Sequence, residues 1–226
     1  DLVSVGADSN TVIKINTYLN DSSYVLKFSE KWSSEEYGVT AGSFDFGDYN
    51  DDGLIDFSIL GLNSNSEPVC KIITNSEDGF SQKEGHELRG LFNGRPSWGD
   101  YDNDGDLDLL ISGLTNTADG GRDPFTSVYY QNNSVFSIDE TLNIDSLGYS
   151  FTQFGDYDDD GDIDLFVSGF NSSSDVVSKV YDNLEALENK NNAPNKPYSL
   201  NIDINKKDIH LSWSAPQDVG TEKGFF

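Results

Sequence analysis

The chain has one cysteine, Cys70, and only two histidines, His86 and His210. A lone cysteine cannot close an internal disulfide, which excludes a small domain stapled by cross-links. Cys70 follows Glu67-Pro68-Val69 and precedes Lys71-Ile72-Ile73. That strand-like setting predicts a small buried residue rather than a reactive thiol, since no histidine neighbours it in sequence. Two histidines also argue against a zinc site. No apolar run nears the roughly twenty residues a membrane helix needs, so no membrane insertion is expected of this segment. Basic residues are scarce: 14 against 40 acids, a net charge of −26. A chain so acidic repels nucleic acid and anionic membrane surfaces, and neither is an expected partner. Helical periodicity is nearly missing, and only a turn around 183–187 reads as helix.

What is present is a core-forming share of apolar residues, 35%, spread along the whole length. Disorder throughout is therefore excluded. The acids are not spread in the same way. They gather in stretches that superpose: FDFGDYNDDGLIDFSILGLN from Phe44, PSWGDYDNDGDLDLLISGLT from Pro96 and TQFGDYDDDGDIDLFVSGFN from Thr152. The first loop acids, Asp48, Asp100 and Asp156, are 52 and 56 residues apart. The N-terminal DLVSVGA matches DFSILGL, DLLISGL and DLFVSGF, so Asp1 aligns with Asp56, Asp108 and Asp164.

Between the loops the pattern also repeats. A short apolar run ends in Gly6, Gly61, Gly113 or Gly169. A polar turn follows, then a β-rich run such as Lys71-Ile72-Ile73 or Ser127-Val128-Tyr129-Tyr130. Next come another turn and a short apolar piece such as Tyr24-Val25-Leu26 or Val135-Phe136. The segment before each loop carries an aromatic: Phe46, Trp98 or Phe154. About four short strands in roughly fifty residues, repeated, is the pattern of propeller blades. The expected fold is all-β: a partial β-propeller of four-stranded blades with metal-binding loops, about three and a half repeats over residues 1–187.

Each loop reads D-x-[DN]-x-D-G-x-x-D. Positions 1, 3 and 5 place oxygens on one side of a tight turn, and Gly at position 6 permits a left-handed backbone. Position 7 offers its carbonyl and position 9 a closing carboxylate. An all-oxygen set favours Ca²⁺ over softer metals. The candidate ligands are Asp48, Asn50, Asp52, Leu54 (carbonyl) and Asp56; Asp100, Asp102, Asp104, Asp106 (carbonyl) and Asp108; and Asp156, Asp158, Asp160, Asp162 (carbonyl) and Asp164. Asp1 would belong to a fourth site cut short at the N-terminus. Asp51, Asn103 and Asp159, at position 4, are expected to face solvent. An EF-hand is excluded, because position 12 is Ile59, Ile111 or Val167 where that motif needs a bidentate Glu. An acidic surface turn explains one such loop; three in register argue for metal.

These residues resemble the FG-GAP repeats of the integrin α-subunit propeller and the related VCBS-type repeats. The FG element is Phe46-Gly47, Trp98-Gly99 and Phe154-Gly155. The second element departs from Gly-Ala-Pro and appears as Gly6-Ala7, Gly61-Leu62, Gly113-Leu114 and Gly169-Phe170. The resemblance implies a propeller, commonly of seven blades, so this chain is expected to be part of a longer one. It also implies that the calcium is structural and lies on the face away from the usual ligand surface.

After Asn183 the composition changes. Residues 188–197 read as a polar, proline-containing linker. Within 198–226, Ile209, Leu211 and Trp213 alternate onto one face. The stretch resembles the first two strands of a fibronectin type III domain, a truncated β-sandwich start, with a strand closing the propeller as the alternative.

The expected function is a calcium-binding module of a secreted or cell-surface protein. Its expected partners are protein or glycan ligands at the cell surface or in the extracellular matrix. The alternative is the propeller part, catalytic or not, of a secreted polysaccharide-degrading enzyme. No nucleophile elbow, His-Glu-x-x-His or phosphate loop is present, so no catalytic residues are assigned and an enzyme is not expected. An off-repeat insertion with Asp119, Arg122 and Asp123 reads as a surface loop.

Overall fold

The computed structural model describes residues 2–7, 13–20, 28–83, 85, 87–183, 197–205 and 208–214. Among them there is no helix, and no helix long and apolar enough to cross a membrane. The helical turn expected around 183–187, the strand piece Tyr24-Val25-Leu26 and nearly all of the linker lie outside the described residues.

The strands form several antiparallel sheets, none closed on itself. The first sheet holds β1 (Leu2–Ala7), β2 (Ile13–Asn20) and β3 (Phe28–Ser34). The second holds β4 (Thr40–Gly47), β5 (Asp56–Leu62), β6 (Pro68–Ser76) and β7 (Gly79–Gln82). The third holds β8 (Phe92–Gly99), β9 (Asp108–Asn116), β10 (Arg122–Asn132) and β11 (Val135–Ile138). The fourth holds β12 (Gly148–Gly155), β13 (Asp164–Phe170) and β14 (Val176–Tyr181). A separate hairpin pairs β15 (Tyr198–Asn205) with β16 (Asp208–Ser214). Each sheet is a meander in chain order, so every pairing is local and its register follows from its turn.

The second, third and fourth sheets begin the same way. Val39, Leu91 and Leu147 are buried just before or at the start of the first strand. A bulge follows at Thr40/Ser43, Phe92/Arg95 and Gly148/Phe151. Ala41, Asn93 and Tyr149 take positive φ there. The bulge draws the first strand so close to the second that a Cβ on Gly94 would sit 1.8 Å from the Ser112 carbonyl oxygen. Only glycine fits that approach.

Alternation along the strands gives the second, third and fourth sheets two apolar faces. Val3, Val5 and Ile15 of the first sheet pack on Phe57, Ile59 and Ile73 of the second. Tyr49, Leu60 and Ile72 of the second pack on Trp98, Leu109 and Ile111 of the third. Tyr101, Leu110 and Val128 of the third pack on Phe154 and Leu165 of the fourth. The same positions thus serve each junction, and the first strands β4, β8 and β12 lie side by side. Fully burying one Leu or Phe at such a junction contributes about 1.5–3 kcal/mol.

Cys70 is partly rather than fully buried and packs beside the Tyr49–Trp98 cluster. Burial pushes its thiol up to about 12, which fits a packing residue and not a nucleophile.

Candidate metal centre

The three acidic loops occupy the same place in their sheets, joining first strand to second: β4 to β5, β8 to β9 and β12 to β13. Their backbones agree. Gly53, Gly105 and Gly161 at position 6 have φ of 84°, 95° and 94°. Position 4 is left-handed as well, with φ of 56° at Asp51, 57° at Asn103 and 62° at Asp159. Asp and Asn tolerate that region better than other side chains do.

The carboxylate at position 1 accepts the N–H groups that these turns expose. Asp48 takes Asp52 N at 3.1 Å and Gly53 N at 2.9 Å. Asp100 takes Gly105 N at 3.1 Å. Asp156 takes Asp160 N at 3.2 Å and Gly161 N at 3.1 Å.

Position 9 is the most enclosed. Asp56, Asp108 and Asp164 are buried. Asp108 accepts Tyr101 N at 2.9 Å and Gln131 N at 2.9 Å. Asp164 accepts Tyr157 N at 3.0 Å and Asn183 N at 2.9 Å. Asp56 accepts Asn75 N at 2.7 Å. This one carboxylate therefore ties the loop to the far end of the third strand.

Carboxylate oxygens of Asp100, Asp102 and Asp108 lie within 4.8 Å of one another, and so do those of Asp156, Asp158 and Asp164. Oxygens that share one Ca²⁺ at 2.3–2.6 Å can be at most about 5 Å apart, so both groups fit a common hard cation. The first loop has Asn50 at position 3 and offers a carboxamide there. Asp56 Oδ2 and Asp100 Oδ1 are buried outside any well-formed hydrogen bond.

Crowding makes the charged forms costly. Burial, and then the charges of neighbouring loop acids, raise Asp56 and Asp100 to about 6. Burial pushes Asp108 up to about 8. Asp102, Asp106 and Asp158 are raised as well, each by desolvation first and then by the carboxylate at position 5. A bound cation would relieve the desolvation cost and the repulsion together.

Several expected ligands are not in these groups. The position 5 acids also accept local backbone N–H groups. Asp52 Oδ1 accepts Leu54 N at 2.8 Å, Asp104 Oδ1 accepts Asp106 N at 2.9 Å and Asp160 Oδ1 accepts Asp162 N at 3.0 Å. At position 7, Leu54 and Asp106 keep their side chains partly or fully in solvent, but Asp162 is buried. Asp1 lies outside the described residues.

One expectation is corrected. Asp51 and Asp159 face solvent, but Asn103 is buried and donates its Nδ2 to Asp162 Oδ1 at 2.9 Å. The fourth sheet covers Asn103 and makes it a link between two loops.

Two residues outside the motif complete the arrangement. Gln131 donates Nε2 to the Tyr49 carbonyl at 2.9 Å. Asn183 donates Nδ2 to the Tyr101 carbonyl at 2.7 Å. Gln131 reaches from the third strand of its own sheet, and Asn183 from two residues past β14, to the loop of the preceding sheet. Their signal in sequence is faint: an Asn or Gln one turn of pattern after the aromatic of the third strand.

Of the off-repeat insertion, Asp119 lies in an exposed turn, whereas Arg122 and Asp123 open strand β10 and pair with Asn116 and Thr115. Asp119 accepts the Thr117 hydroxyl and Gly121 N, and these bonds hold its carboxyl below its ordinary value. Arg122 stacks over the Phe92 ring at 5.0 Å. No protein-family model matches this chain, and no curated protein matches it.

Proposed function

We propose that the chain is a calcium-stabilised segment of a β-propeller, with FG-GAP- or VCBS-like repeats, and that it acts as a binding or scaffold module of a secreted or cell-surface protein. One observation carries the reading. Three loops of one sequence pattern share one backbone, and in two of them the acids at positions 1, 3 and 9 converge within 4.8 Å. Hard oxygen donors at that spacing suit Ca²⁺. The four-stranded meanders of the second and third sheets, packed face against face with first strands adjacent, support the propeller part of the reading.

In this reading the ion is structural. It neutralises acids that crowd where first and second strands meet, and binding to the folded state alone stabilises the fold by mass action. The module's partner is a protein or glycan, since −26 of charge disfavours nucleic acid and anionic membrane.

Isothermal titration of chelator-treated protein tests the metal assignment. Ca²⁺ should bind with a stoichiometry of one ion per loop, and Mg²⁺ should bind much more weakly. Absence of Ca²⁺ binding at millimolar concentration would remove the reading. Glycan and protein arrays probed with the calcium-loaded chain test the partner class.

A further inference from the structure

The junctions between sheets obey a simple rule of shape. In the junctions of the second sheet with the third and of the third with the fourth, an aromatic ring from the next sheet covers the glycine that ends the preceding sheet's first strand. A Cβ on Gly47 would meet the Trp98 ring at 2.9 Å, and one on Gly99 would meet the Phe154 ring at 2.7 Å. A Leu from the next sheet packs beside the ring: Leu109 with Trp98, and Leu165 with Phe154.

The fourth sheet carries the same receiving surface, and among the described residues it is open. Of these residues, none lies within 4 Å of a Cβ built on Gly155. Tyr157, Phe166 and Val180 stand where Tyr101, Leu110 and Val128 stand in the third sheet, as the pairings Leu110↔Val128 and Phe166↔Val180 show. In the third sheet these side chains are 7%, 0% and 0% exposed; in the fourth they are 60%, 37% and 45% exposed.

The same chain carries a matching surface that no described residue covers. The β15–β16 hairpin pairs Ile202 with Leu211, and Ile209, Leu211 and Trp213 alternate along β16 onto that side. These three are 67%, 56% and 59% exposed. A two-stranded hairpin is marginal by itself and needs a surface to cover its apolar side. Its Trp, Leu and Ile are the residue types that Trp98, Leu109 and Ile111 bring to the second sheet.

We propose that this hairpin docks on the open face of β12–β14, with the Trp213 indole over Gly155 and Leu211 and Ile209 against Phe166 and Val180. Charge favours this occupant over a second copy of the chain. Residues 188–226 hold five acids and five bases, so the whole −26 lies in residues 1–187. A second copy would bring an equally acidic body, and the hairpin brings none. Reach is sufficient, because the thirteen residues 184–196 can span up to about 45 Å. Tethering also makes the encounter intramolecular. The contact does not depend on metal, so its success or failure is separate from that of the calcium assignment.

Acrylamide quenching tests it, with the Trp213 contribution taken as the difference between the chain and its Trp213→Phe variant. Docking predicts a shielded Trp213. Gly155→Val, which fills the socket on an otherwise open surface, should raise the quenching constant several-fold with the melting temperature of the sheets little changed. Val180→Asp should do the same, and Trp213→Ala should speed amide exchange in β13 and β14. The proposal is overturned if Trp213 in the unaltered chain quenches like a free indole. It is also overturned if neither surface variant changes the quenching, or if shielding appears only with concentration-dependent dimers in sedimentation.

Discussion

Loops 100–108 and 156–164 have nearly the same sequence and very different surroundings. Tyr101 and Tyr157 hold the same position, yet Tyr101 is buried between sheets and Tyr157 stands in solvent. Asn103 is enclosed and its counterpart Asp159 is exposed. Asp100 is pushed up to about 6 and Asp108 to about 8 by burial. The difference comes from the neighbouring sheet. Local sequence gathers the oxygens, and the adjoining sheet determines how costly their charge is.

The largest expected effect is metal removal. With free Ca²⁺ a hundredfold above the dissociation constant, each site adds about 2.7 kcal/mol, so three sites together add about 8 kcal/mol. Scanning calorimetry in excess chelator should show the midpoint fall steeply. An unchanged melt would mean that the loops do not bind metal. Asp108→Ala should reduce the calcium-dependent gain more than Asp164→Ala does, because its site is the more enclosed.

Next is the tyrosine pair. Tyr101 stacks on Phe154 at 5.9 Å and on Tyr130 at 6.0 Å between ring centroids. Tyr101→Ala should cost about 3 kcal/mol in urea unfolding, as large-to-small core changes do. Tyr157→Ala should cost less, because a docked two-stranded hairpin covers its ring less fully than a neighbouring sheet covers Tyr101. Equal losses would mean that the fourth sheet's face is covered as completely as the third's.

A smaller contrast concerns position 4. Asn103→Asp keeps the left-handed preference but sets a carboxylate against Asp162, and should cost about 1–3 kcal/mol. Asp159→Asn, the reverse change in the exposed loop, should be nearly neutral in the same melts.

The smallest effect involves a charge pair at the surface. Asp145 accepts hydrogen bonds from Lys179 and from the Tyr181 hydroxyl, and these hold its carboxyl below its ordinary value of 3.8. Its contribution is present above that ordinary value and is lost as pH falls through the lowered one. Lys179 is exposed and Asp145 partly so, and solvent screening keeps the gain slight. Asp145→Asn should flatten the acid limb of the stability curve slightly and leave neutral stability nearly unchanged.

Much of the architecture was legible in the sequence. The recurrence of Asp-x-Asp/Asn-x-Asp-Gly-x-x-Asp located three loops, and the flanking alternation located the strands on either side. Position 6 was read correctly because glycine has one strong reason to stand there. Position 4 was misread in the enclosed loop, because Asn103 owes its burial to a sheet more than forty residues downstream. The bonds from local N–H groups to Asp52, Asp104 and Asp160 gave no separate sign in the sequence, since a carboxylate two residues before an amide can serve the turn with one oxygen and an ion with the other. Gln131 and Asn183 gave little warning, as their partners lie 82 residues away. The bulges of β4, β8 and β12 were also missed, because they depend on the closeness of two backbones and not on any periodicity.

The enclosed carboxylate of Asp108 receives one amide proton from Tyr101 and another from Gln131, on segments thirty residues apart. A group that only accepts is required there, so even an isosteric Asn would turn an N–H toward an N–H. Because both amides share one anchor, an opening that carries the carboxylate away exposes them together. Deuterium should therefore enter the two positions at a common rate, set by a single opening of that loop together with the end of β10.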